Sequence, residues 1–185
     1  MAFISSGGNV ISYAEASDVR DKDQRLFEAN EFTLTNLPDA PPTLNDYLED
    51  LTTKATARIN QKIRASSQWR AYLGYVGADY DVNNIPAFNP NLILARRSDF
   101  TDMCTYYTLK EYLLPRVADF GNPESAEVQK IQYYENKFND LFNELLAMMD
   151  WYDEDADGTV EDGEKRVRFD LNRRTRGRKA VSWVR

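Results

Sequence analysis

The chain has 185 residues, with 30 Asp and Glu against 23 Lys and Arg for a net charge of −7, one cysteine and no histidine. Lacking His, it has no usual general base, zinc ligand or near-neutral pH switch, so the composition is read as that of a non-enzyme. Cys104 has no partner for an internal disulfide, no apolar run approaches the roughly 18 residues of a membrane span, and "MAFISSGGNVIS" is not a secretory signal; an intracellular, soluble chain with no membrane partner is expected.

Residues 1–16 are small and polar and read as a flexible or partner-ordered arm. "SDVRDKDQRLFEANE" follows as a short helix, with Ser17 placed to cap it before Val19, Leu26 and Phe27. "TNLPDAPPT" interrupts the chain with three prolines. Thr43 then opens a longer helix in which Leu44, Tyr47, Leu48, Leu51, Ala55, Ile59 and Ile63 recur at spacings of three and four. That stripe faces a core, and Asp46, Glu49, Asp50, Lys54, Arg58 and Lys62 form the solvated side.

Residues 66–91 carry glycines, asparagines, prolines and unevenly spaced aromatics, and read as a long loop of the kind that meets a partner. Ser98 begins the next helix, with Asp99 and Asp102 in its first turn and a buried face of Phe100, Met103, Cys104, Tyr107, Leu114 and Val117. Pro115 should kink or end it. In "GNPESAE", Gly121 stops one helix, Asn122 caps the next and Pro123 takes its first position. The periodicity from Glu124 to about Trp151 predicts a helix of roughly 40 Å. Residues 17–152 thus read as one antiparallel helical bundle, mainly α in class.

The charge is divided abruptly. Lys165 to Arg185 hold nine Lys or Arg and one acid, a net +8, whereas the preceding 164 residues hold 14 basic and 29 acidic side chains, a net −15. Within this basic tail, Val167, Phe169 and Leu171 alternate with polar residues at the strand period of two. An extended tail with no partner strand of its own invites pairing with another protein.

Between bundle and tail lies "DEDADGTVEDGE", residues 153–164. It satisfies D-x-D-x-D-G-x5-E, the pattern of a calcium-binding loop. A hard dication takes several oxygens near about 2.4 Å. Asp153, Asp155 and Asp157 can supply three, Gly158 permits the turn, the Thr159 carbonyl would be another ligand, Glu161 acts through water and Glu164 closes the shell. Acids crowded at a helix C-terminus are also electrostatically poor without a cation. Against a sensor stand the single loop and the strand-like segment that follows it. The other reading is a solvated turn that ends the helix. Calcium is the one cofactor expected.

Arg173, Arg174, Arg176, Arg178 and Lys179 offer charge for nucleic-acid phosphate, with no recognised reading module beside them. An acidic protein surface is at least as natural a target, with Val181, Trp183 and Arg185 completing the docking set.

Four stretches, "DVRDKDQRLFEANE", "LEDLTTKATARINQKIRASSQWRAY", "NLILARRSDFTDMCTYYTLKEYLLPRVADF" and "IQYYENKFNDLFNELLAMMDWYDEDADGTV", together span residues 18–160. In the order of its helices, the S-x-W at the end of the second, the "LLP" kink and the long fourth helix, the chain resembles the head–tail adaptor (connector) proteins of tailed bacteriophages. The resemblance implies a ring, twelve copies in this family, beneath the portal. It implies contacts with further neck or tail proteins, non-specific contact with passing DNA, assembly in the host cytoplasm and a final location in the virion neck. It implies no catalysis. Neighbouring copies would pack through helix faces and the loop from Trp69 to Asn91, and the tail would dock on the portal. The calcium-like loop is not required by that pattern. The alternative is a calcium-binding helical interaction protein with a single such loop.

Overall fold

The computed structural model describes residues 3–28, 43–75, 85, 88–122 and 124–161. The proline-rich break after the first helix, most of the stretch 76–87, Pro123, Glu164 and the whole basic tail lie outside the described residues. The described part is mainly α, with one small hairpin.

The hairpin is the first departure from expectation. Residues read as a flexible arm form β1 (Ile4–Ser6) and β2 (Asn9–Ser12), paired antiparallel. Gly7 and Gly8 make the turn with φ of 59° and 82°, the left-handed region that two-residue hairpin turns demand and that glycine enters without strain. The strands would be marginal alone. They are held because Phe3, Tyr13 and Ala14 are buried in the main core. The Tyr13 amide donates to Thr56 Oγ1 at 3.1 Å and Thr101 Oγ1 donates to the Tyr13 carbonyl at 2.8 Å. The Tyr13 hydroxyl also meets Asn60 Oδ1.

The first predicted helix is two: α1 (Ala16–Lys22), capped from Glu15 rather than Ser17, and α2 (Gln24–Glu28). Asp23 stands at the break, almost fully buried, and takes the Lys130 ammonium at 2.8 Å, which ties the break to the last helix. Helix α3 (Leu44–Ala65) begins where expected, with Thr43 Oγ1 accepting the Asp46 amide at 3.1 Å. Its predicted stripe is buried from Tyr47 to Ile63, joined by Thr52 and Thr56. The stretch read as a loop holds a further helix, α4 (Ser67–Tyr75), started by Ser66, whose Oγ accepts the Trp69 amide at 3.1 Å. Trp69 is 1 % exposed, so it belongs to the core of its own chain and is no surface for a neighbouring copy.

Helix α5 (Arg97–Thr108) packs against both α3 and α7 (Ala126–Met148). Ahead of Pro115 it widens into a π-helical turn over Leu109–Leu113 and then closes as α6 (Leu114–Val117). Proline has no N–H for the Glu111 carbonyl and its ring crowds that carbonyl, so the wider turn relieves what an α-turn would suffer. Thr101, Thr105 and Thr108 return their hydroxyls to the carbonyls four residues back, which lets these polar side chains sit in the core. The N-cap of α7 is Ser125, three residues beyond the predicted Asn122, which instead accepts the Ser125 and Glu124 amides in the preceding turn. None of the described helices is long and apolar enough to cross a membrane.

Burial has a titration consequence. Desolvation pushes the Tyr152 phenol from 10.0 up to about 12 and the Cys104 thiol from 9.0 up to about 11, and it raises Tyr13 and Tyr134 as well. In the unfolded chain these groups lose their protons first, so between about pH 9 and 12 the folded state binds more protons and stability falls as pH rises. Urea midpoints should therefore decline above about pH 9 from their value at neutral pH, with tyrosinate absorbance rising in step with unfolding. A midpoint unchanged through about pH 11.5 would contradict this burial.

Candidate metal centre

The site is built where α7 stops. Met149 takes φ of 48° and its amide bonds to the Leu145 carbonyl at 3.0 Å, so the helix ends at Met148, three residues short of Trp151. The chain then turns inward. Trp151 is fully buried and its indole Nε1 donates to the same Leu145 carbonyl at 2.8 Å, capping the helix from the core side. Arg96 reinforces the turn from the far side, with its Nε 2.6 Å from Asp99 and its Nη1 3.7 Å from Asp150.

Residues 151–153 next run alongside residues 92–95. The Leu94 amide donates to the Trp151 carbonyl at 3.0 Å and the Asp153 amide to the Leu92 carbonyl at 2.9 Å, flanking an antiparallel bridge between Ile93 and Tyr152. Asn91, just before this seam, takes the Val10 amide of the hairpin on its Oδ1 at 2.8 Å. The acidic loop is thus anchored to two other parts of the fold before its first carboxylate.

Beyond the seam, the loop folds over itself. Asp153 Oδ2 accepts the Gly158 amide at 2.9 Å, Asp155 Oδ1 the Asp157 amide at 3.2 Å, and Asp157 Oδ1 both the Thr159 amide and hydroxyl at 2.8 Å. Ala156 and Gly158 have φ of 62° and 95°, which brings alternate side chains to one side. One carboxylate oxygen from each of Asp153, Asp155 and Asp157 lies within 4.8 Å of the other two. Asp153 is buried, whereas Asp155, Asp157, Thr159 and Glu161 are exposed. Thr159 and Glu161 follow in the loop, and among the described acidic side chains Asp153, Asp155 and Asp157 form the convergent group.

Of the other expected site residues, Glu164 and the docking set Arg173, Arg174, Arg176, Arg178, Lys179, Val181, Trp183 and Arg185 lie outside the described residues. What the sequence reading missed is the seam. Leu92 and Ile93 carry no motif, and only the two aromatics Trp151 and Tyr152, placed directly before Asp153, hinted that the loop begins inside the core. Comparison of the chain with protein-family models, with curated proteins and with solved structures found no match in any of the three.

If Trp151 both fills the core and caps α7, two substitutions should separate these roles. Trp151→Ala should lower unfolding free energy by about 3–5 kcal/mol in urea titrations. Trp151→Phe, keeping a ring but losing the donor to Leu145, should cost distinctly less, about 1–3 kcal/mol. Equal losses would mean the indole hydrogen bond, rather than the packing, carries the anchor.

Proposed function

We propose that the chain is a structural virion protein, a head–tail adaptor that forms a ring between portal and tail and extends the DNA channel. The observation that carries this reading is the order and punctuation of the helices. A broken N-terminal pair is followed by the long α3 ending at the S-x-W of Ser67 to Trp69, then α5 and α6 kinked at Pro115, then the long α7 leading into the acidic loop. That is the sequence of elements on which the resemblance to adaptors rests, in an arrangement read as an antiparallel bundle.

The surface supports the same reading. Phe120, Tyr133 and Met148 are large apolar side chains at least half exposed, and two of them lie on α7. They offer contact area for a neighbouring copy, with a twelve-fold ring as the family's usual closure. An acidic body repels DNA phosphate and lets it slide, while the +8 tail supplies the opposite charge for docking on the portal. Catalysis has no part in this account.

The test is direct. Electron microscopy of the purified protein, alone and mixed with the portal protein of the same virus, should show rings with an open centre. A chain ending at Glu164 should lose portal binding while keeping its helical circular dichroism. A persistent monomer in both samples argues against the adaptor, and undiminished portal affinity without the tail argues against tail docking.

A further inference from the structure

The loop at 153–157 holds two independent features that point to the same ligand. The first is the convergence of three carboxylates within 4.8 Å. Like charges this close repel one another. The second is the state of Asp153. The residue is 2 % exposed, and its Oδ1 is sealed from solvent with no hydrogen-bond donor among the described residues. Its Oδ2 meanwhile takes the Gly158 amide, so the carboxylate faces the interior of the loop. A buried carboxylate oxygen without a donor is costly, and a cation in the loop would give it a partner.

We propose that Asp153, Asp155 and Asp157 bind one calcium ion, and that the ion braces the seam between residues 151–153 and 92–95. The donor set suits calcium, a hard cation that takes about six to eight carboxylate and carbonyl oxygens in flexible geometry. Magnesium, with strict octahedral demands and a reluctance to shed its waters, is less suited to a loop of this kind. The Thr159 carbonyl and exposed Glu161 follow at the positions where such loops complete the shell directly or through water. Asp153 conveys occupancy to the fold because its amide is bonded to the Leu92 carbonyl. An ion that binds only the folded loop stabilises the whole domain by mass action.

The experiment uses the full chain, dialysed against a chelator. Terbium should luminesce on indole excitation, since Trp151 lies two residues before Asp153, and calcium should displace it. Calcium should raise the thermal midpoint, a chelator should reverse the rise, and magnesium at equal concentration should do less. The double variant Asp155→Asn with Asp157→Asn changes exposed residues only. It should keep the chelated wild-type circular dichroism yet show neither terbium signal nor calcium shift up to about 10 mM, beyond the weakest range of such loops. No calcium shift in the wild type, or full binding by the double variant, overturns the site; an equal shift with magnesium overturns the assignment to calcium. The inference does not rest on the adaptor reading: a calcium-binding chain that forms no ring keeps the one and loses the other.

Discussion

The fold depends on a cluster of aromatic rings contributed by segments that are far apart in the chain. Trp69 meets Tyr152 edge-on at 5.0 Å and Phe88 at 5.3 Å, and Phe100 meets Trp151 at 4.8 Å. Phe3 and Tyr13 of the hairpin join through Phe100, with Tyr13 at 5.3 Å. Each ring buries a large area, and edge-to-face geometry adds to what burial alone supplies. Hairpin, α4, α5 and the end of α7 therefore have one common point of attachment. Removing that point would leave α3, α5 and α7 still amphipathic, but would leave the hairpin and residues 151–153 held by their hydrogen bonds without the packing beneath them.

The acidic loop takes its character from this arrangement. Acids at a helix C-terminus are ordinarily unfavourable, and a free chain would let them spread into solvent. Here Trp151 and Tyr152 are bound into the core, so Asp153 starts from a buried position and the next two aspartates are folded back toward it. The charge is crowded because the aromatics two residues earlier are anchored.

How much of this could be read from the residues varies with the range of the interaction. Helix α3 was legible in full, because Thr43 caps it and its apolar stripe runs unbroken to Ile63, both of them local signals. The face of α5 and the disturbance at Pro115 were legible too, though the widening to a π-turn was not, since several backbone solutions can relieve one proline. The hairpin was misread as an arm: Gly7–Gly8 between short strands is a turn signal, but only burial of Phe3 and Tyr13 by remote helices makes the strands hold. Helix α4 was hidden for a similar reason. Its short run carries Gly74 and a weak stripe, and its stability comes from Trp69 and Tyr72 entering the distant cluster. At the candidate metal centre the three aspartates were plain from spacing alone, whereas the backbone seam to Leu92 and Leu94 uses groups every residue has and so leaves no mark on the sequence.

The central claim is that the start of the acidic loop is part of the core, held by the aromatic cluster and the seam. Native-state hydrogen exchange tests it most directly, through the amides of Leu94 and Asp153, which donate across the seam. The account predicts that both exchange only by global unfolding, with the same free energy and denaturant dependence as the buried amide of Cys104 in α5. Exchange of Leu94 and Asp153 through a cheap local opening, while Cys104 stays protected, would contradict it.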